Sequence, residues 1–285
     1  MKLALGTVQF GLAYGIAGPG QAVAAAEARR ILQASWSQGV RTLDTAAAYG
    51  DIEERLAGLC DGLPFRVVSK VPAVPAGLSD AVAASWAVEQ AQLSRQRLGP
   101  LLAGLMCHRA EDLLGVRGAA IHAALQAWAE PEGVVLGASC YDPATLLALV
   151  QQRQIRIAQL PGNALDQRLV QWIPARQPGL EIHLRSAFLQ GLLLMPGPVG
   201  ARRLPVAAAA LQRWQAWCDE RGLGPLQAAL SAVKSFAAVS EVVVGVDSLA
   251  QFDAIAEAWS SVHPIACPEL AEASAAIIDP RAWTP

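Results

Sequence analysis

The sequence predicts a (β/α)8 barrel in one domain, residues 1–285. Three observations predict it. Eight short apolar runs recur along the chain, and most lack the polar alternation of a sheet with one wet face. Helix-like segments with an apolar and a charged side separate most of them. Three successive runs close on polar side chains, which a barrel of parallel strands gathers at one mouth. An open doubly wound sheet is the alternative architecture for the same rhythm.

The elements follow in order. The first strand is Leu3–Val8, followed by a helix over Ala22–Gln38. There Ala26, Ile31, Ala34 and Trp36 interleave with Glu27, Arg29, Arg30, Gln33 and Gln38. Gly18-Pro19-Gly20 before it reads as a turn, because the third glycine of a dinucleotide-binding loop is missing. The second and third strands are Gly39–Thr45 and Phe65–Val71. A helix over Ser79–Leu98 leads to the fourth strand, Leu101–His108, and one over Gly118–Ala129 to the fifth, Gly133–Cys140. A helix over Pro143–Gln152 leads to the sixth, Ile155–Leu160; the seventh is Leu180–Ser186. The connection after it, about 187–238, is the longest. It holds a Pro/Gly/Arg loop (Met195–Arg203) and helices over Pro205–Arg221 and Pro225–Ala238. Glu241–Gly245 is the eighth strand and Leu249–Trp259 the helix behind it.

Composition narrows the function classes. Apolar residues are 53% and charged residues 16%, which predicts a large core and argues against disorder. The net charge of −2 is spread without a basic stripe, so neither nucleic acid nor a membrane surface is an expected partner. No apolar stretch is long enough to span a bilayer. The five cysteines, 60, 107, 140, 218 and 267, have no CxxC spacing and read as reduced core thiols of a cytoplasmic protein, not as a zinc site. His122 and His183 have no second ligand at metal spacing. Most of the eight tryptophans fall on helices and read as packing against the barrel exterior; Trp214 and Trp217 read as core.

The polar strand ends carry the chemistry. Asp44, Lys70 and His108 end the second, third and fourth strands, and Tyr49 follows in the loop after the second. Neighbouring strands lie about 4.8 Å apart, so these side chains can meet. A tyrosine is a poor acid near neutral pH, but an adjacent ammonium stabilises the phenolate. Lys70 supplies that ammonium, Asp44 holds it charged, and His108 is placed to hydrogen-bond a carbonyl oxygen or relay a proton. Tyr49 would then protonate an oxyanion as it forms. That is half of a carbonyl reduction, and the hydride of the other half requires a nicotinamide cofactor. Singly, each residue has an ordinary structural reading: an ion-pair member, a packing aromatic, a satisfied strand-end histidine. The joint pattern on three consecutive strands favours chemistry.

The chain resembles the aldo-keto reductases. The likeness runs through Leu5-Gly-Thr-Val-Gln-Phe-Gly11, Thr42-Leu-Asp-Thr-Ala-Ala-Ala-Tyr-Gly50, Val68-Ser-Lys70, Met106-Cys-His108, Gly137-Ala-Ser139, Gln159-Leu-Pro-Gly-Asn163, Arg185-Ser-Ala-Phe-Leu-Gln-Gly-Leu-Leu193 and Val243-Val-Gly-Val-Asp-Ser248. It implies a barrel enzyme using NADP(H) first and NAD(H) second, with a tetrad of Asp44, Tyr49, Lys70 and His108 and with Tyr49 as the general acid. Gly6 and Thr7 would border the cofactor, Ser139 and Gln159 its carboxamide, Arg185 and Ser186 the ring and pyrophosphate side, and Gly245, Ser248 and Gln251 the adenosine end. Phe10, Tyr14 and Phe188 would wall the pocket for a small carbonyl or alcohol substrate. The chain departs from the family pattern in three places. Cys140 stands where an asparagine is usual, and Arg185 where an aromatic is common. Gly245, Asp247, Gln251 and Ile255 stand where basic and polar residues often hold a 2′-phosphate, a role that Arg202 and Arg203 would have to supply from the preceding loop. Two other functions compete: a Schiff-base lyase using Lys70, and a non-catalytic subunit that senses a nicotinamide nucleotide.

Overall fold

A computed structural model describes residues 1–283 apart from 17, 19, 153 and 174; Pro19 of the expected turn thus lies outside the described residues. Eight parallel strands form a closed barrel in sequence order: β1 (Lys2–Gly6), β2 (Thr42–Asp44), β3 (Arg66–Val71), β4 (Leu102–Cys107), β5 (Val135–Ser139), β6 (Ile157–Pro161), β7 (Glu181–Arg185) and β8 (Glu241–Gly245). β8 closes the ring by pairing along all of β1, from Lys2↔Glu241 to Gly6↔Gly245. Each strand sits within three residues of its expected place at either end. The largest trim is at β2, where Gly39, at φ +85°, turns the chain out of the preceding helix and Val40 N–H donates to Ser35 O at 2.9 Å.

Helices enclose the barrel because the outward strand residues are apolar. On β7, Ile182 and Leu184 face the helical layer, fully buried, while Glu181, His183 and Arg185 alternate with them. The longer helices are Ala25–Ser37, Ile52–Cys60, Asp80–Leu98, Gly115–Glu132, Pro143–Gln151, Ala208–Glu220, Pro225–Lys234 and Leu249–Ser261. Ser79 and Asp142 cap two of them: the Ser79 hydroxyl accepts from Val82 N and the Asp142 carboxylate from Thr145 N at 2.8 Å. The helix Ile52–Cys60 lies in a stretch that the sequence reading left unassigned. Trp214 and Trp217 stack at 5.8 Å between ring centroids and are buried, as expected. Trp214 donates to Leu193 O at 2.9 Å, which pins the loop after β7 to the helix Ala208–Glu220.

Inside the barrel the side chains form layers. The floor is polar, with Thr42, Arg66, Glu181, His183 and Glu241. Above it Val68, Met106 and Ile157 make a dry middle layer. Asp44, Lys70 and Gln159 come next, below the mouth. Among the described residues no helix is long and apolar enough to cross a membrane, and no His, Cys, Asp or Glu group is placed to hold a metal ion.

Candidate active site

The strand ends are locked in register before any side chain is considered. Gly6 on β1 aligns with Asp44 on β2 and with Gly245 on β8. Thr7 reinforces the join: its N–H and its hydroxyl both donate to Asp44 O, at 2.9 and 3.1 Å. The loops after β1 and β2 then press together. Gly11 packs so closely on the Tyr49 carbonyl that a Cβ there would overlap it, and Gly50, at φ +67°, packs on the Gly11 carbonyl in return. This contact fixes where Tyr49 stands.

The four strand-end groups meet. Lys70 is buried, and its ammonium donates to Asp44 Oδ1 at 2.7 Å and to Thr45 O at 2.8 Å. The other Asp44 oxygen accepts from Gln159 Nε2 at 2.6 Å. The Tyr49 ring centroid is 5.1 Å from Lys70 Nζ, and the Tyr49 and His108 rings meet edge to face at 6.1 Å. Burial works against the charged form of Lys70. Asp44 and the Tyr49 phenol outweigh it, and the lysine pKa is raised. Burial, with Lys70 beside it, lowers that of His108 to about 4, so its ring is neutral at neutral pH. The arrangement is a phenol hydroxyl bordered by a permanent ammonium and an uncharged imidazole.

A cleft of about 320 Å³ opens beside Tyr49. Of the residues expected around a cofactor, Gly6, Thr7, Gln159, Arg185, Ser186, Gly245 and Gln251 line it, with Asp44, Tyr14 and Phe188. Ser139 is buried just below, in register with Gln159, and does not line the cleft. Ser248 is not at the cleft wall either. Its hydroxyl accepts from Gln251 N at 3.3 Å and caps the helix Leu249–Ser261. Phe10 corrects the expectation that it walls the pocket: the chain after β1 turns helical at Val8–Gly11 and carries this ring into the core, where it is fully buried.

The cleft also has members the sequence reading did not place there. These are Gln9, Gln190 and Leu226; Asp247 and Ile255, read from the sequence at the adenosine end, line it near β8. Gln9 Oε1, Asp247 Oδ1 and Arg185 Nη2 are buried without a hydrogen-bond partner. Two acceptors and a donor, on residues that line the cleft, are thus unmatched within the protein. Two left-handed non-glycine residues, Ser186 and Gln190, also border the cleft. Such backbone is costly and clusters at ligand sites.

No family profile and no curated protein sequence matches the chain. Solved structures do. An aldo-keto reductase from Bacillus halodurans, in its holo form, superposes with a TM-score of 0.75 at 18% identity over 99% of this chain and 95% of its own. A candidate aldo-keto reductase from Pseudomonas aeruginosa gives 0.65 at 20% identity over 90% and 88%. The chain therefore carries the closed (β/α)8 barrel that these aldo-keto reductase structures have, from one end to the other.

Proposed function

We propose that the protein is an aldo-keto reductase that interconverts a small carbonyl compound and its alcohol with a nicotinamide dinucleotide. One observation carries the proposal: a buried ammonium, held by Asp44, borders the Tyr49 phenol at the wall of a cleft. When bound, the cofactor supplies or accepts the hydride at the carbonyl carbon. The rest is proton management. Tyr49 gives its proton to the carbonyl oxygen as negative charge develops there, and the Lys70 ammonium stabilises the phenolate left behind. A proton from solvent restores the phenol. His108, neutral and edge-on to Tyr49, orients the carbonyl oxygen by donating a hydrogen bond. In the reverse direction Tyr49 takes the alcohol proton. Gln159 is a positioning residue that fixes the Asp44 carboxylate from its other side.

The far end of the cleft bears on which dinucleotide binds. It is lined by Gly245, Asp247, Gln251, Ala254 and Ile255, with no lysine or arginine among the described residues. Arg202 and Arg203 lie exposed at the end of the helix Gly197–Arg203 and do not line the cleft. The Glu27 carboxylate already accepts Leu249 N at 2.7 Å at the start of the helix there. An acceptor such as Asp247 suits a ribose hydroxyl and repels a phosphate. These features favour NAD(H), whereas the family resemblance alone puts NADP(H) first.

A lysine nucleophile must be neutral. Lys70 donates to two oxygens and is held charged, which weighs against the Schiff-base reading. Titration with NADH and NADPH, following nicotinamide fluorescence, tests the proposal. Binding of NADH, more weakly matched by NADPH, is expected. Binding of neither would defeat the reductase reading, and binding without turnover of any carbonyl compound would favour a sensor.

A further inference from the structure

Several cations on the mouth side of the barrel are answered by carboxylates. Lys70 pairs with Asp44 at 2.7 Å, Arg168 with Asp166 at 2.7 Å and Arg281 with Asp279 at 2.6 Å. Arg109 pairs with Asp112. Arg185, at the end of β7, has no carboxylate within 4 Å and no side-chain hydrogen bond among the described residues, and its Nη2 is buried. A guanidinium taken out of water without an acceptor is costly, and structures rarely leave one so.

Its position is braced, not loose. The guanidinium lies 4.1 Å over the Tyr141 ring, and Arg281 covers the same ring at 3.3 Å. Tyr141 is thus a platform, and Arg185 is the side of the stack that lines the cleft. Tyr14 and the proton donor Tyr49 line the same cleft as Arg185. Asp44 already offsets Lys70, so the excess positive charge at this end of the cleft is that of Arg185. A planar fork of N–H donors on an aromatic plate suits a carboxylate, which it can engage through two parallel hydrogen bonds.

We propose that Arg185 is a specificity residue that binds the carboxylate of an anionic carbonyl substrate, so that the protein reduces carboxylate-bearing aldehydes or ketones in preference to neutral ones. This rests on the reductase reading proposed above and adds the substrate class. Tyr14 and Phe188 line the same cleft as the arginine.

The test has two parts, so that the two readings can fail separately. Calorimetric binding of oxalate to the protein alone, with wild type, Arg185→Lys and Arg185→Met, needs no cofactor. Wild type is expected to bind oxalate at least tenfold more tightly than Arg185→Met, with Arg185→Lys between them. The second part compares 4-carboxybenzaldehyde with its neutral amide counterpart in steady-state reduction, with dinucleotide titrations run on every variant. The wild-type kcat/KM is expected to favour the carboxylate about tenfold, mainly through KM, and the preference is expected to vanish in Arg185→Met when both substrates are compared at saturating dinucleotide. Equal oxalate binding by wild type and Arg185→Met overturns the proposal. So does a wild-type preference for the neutral amide, or an Arg185→Met variant whose only change is weaker dinucleotide binding. Failure of every variant to bind a dinucleotide defeats the reductase reading, while the oxalate result still decides the role of Arg185.

Discussion

The floor and the mouth of the barrel are built from the same two strands and reach opposite outcomes. β3 sends Arg66, Val68 and Lys70 inward, and β7 sends Glu181, His183 and Arg185. At the floor the two ladders neutralise each other. Arg66 pairs with Glu181 at 2.8 Å, His183 lies 3.3 Å from Glu181 and 3.6 Å from Glu241, and Thr42 donates to Glu241 at 3.0 Å. At the mouth the corresponding residues, Lys70 and Arg185, have the same sign. Lys70 turns to Asp44 on β2, and Arg185 remains unanswered. The dry layer of Val68, Met106 and Ile157 separates the two ends. The floor groups pair largely with one another, although Glu241 Oε2 and His183 Nδ1 are buried without a hydrogen-bond partner, whereas the mouth sets a guanidinium and a phenol beside a cleft, the arrangement the proposed reductase needs.

The largest expected contrast is between activity and stability at the mouth. Tyr49→Phe should lower kcat by about 10²- to 10⁴-fold, the usual worth of a positioned proton donor, and leave thermal unfolding unchanged. A comparable kcat in the variant would remove the mouth from the chemistry. Lys70→Met should do both kinds of damage. It leaves Asp44 buried without its partner, at a cost of about 3–5 kcal/mol in denaturant unfolding, and it removes turnover. A soluble, stable Lys70→Met protein would show that the pair is not the keystone of this end.

Gly11→Ala comes next. Its Cβ would overlap the Tyr49 carbonyl, so the loops after β1 and β2 must part, at about 1–3 kcal/mol. Turnover should fall further than stability, because the displaced residue is the acid.

The smallest effects are in pH dependence and distinguish the ends by window. His108 is held at about 4, below its ordinary 6.5, first by burial. As pH falls, the unfolded chain takes up that proton before the folded one. Stability should therefore drop between about pH 6.5 and 4 and level off below, and His108→Gln should flatten that limb. At the floor, the hydrogen bond with His183, and Arg66 beside it, hold Glu181 at about 2. Its contribution is present above about pH 4.5 and is lost as pH falls toward 2. Glu181→Gln should remove only that lower window, and only modestly, because the side chain is 44% exposed. Denaturation midpoints across pH 2–8 for both variants would read the two windows directly, and a loss in the same window for both variants would contradict the assignment.

Much of this was legible in the sequence because the signals are local. Apolar runs closed by Asp44, Lys70 and His108 give the strands and their chemistry, and the barrel supplies the convergence. What escaped was what depends on the turns beyond the strand ends. Phe10 follows an apolar run like any pocket residue, yet the helical turn Val8–Gly11 rotates it into the core. Ser248 precedes Leu249, Ala250 and Gln251, a spacing that marks a helix cap, and capping is what its hydroxyl does. Gln9 directly follows the run that reads as the first strand, and only the folded loop shows its amide at the cleft beside Gly245. The pairing of Arg66 with Glu181 and the isolation of Arg185 are contacts across the barrel, which no local pattern encodes.

One measurement bears most directly on the claim that the phenol at the mouth is the proton donor of a hydride transfer. It is carbonyl-dependent loss of NADH or NADPH absorbance by wild type and by Tyr49→Phe, with dinucleotide binding verified for both. The account predicts that both proteins bind the dinucleotide and that only the wild type oxidises it when a carbonyl compound is added. Equal turnover by the two proteins would contradict it.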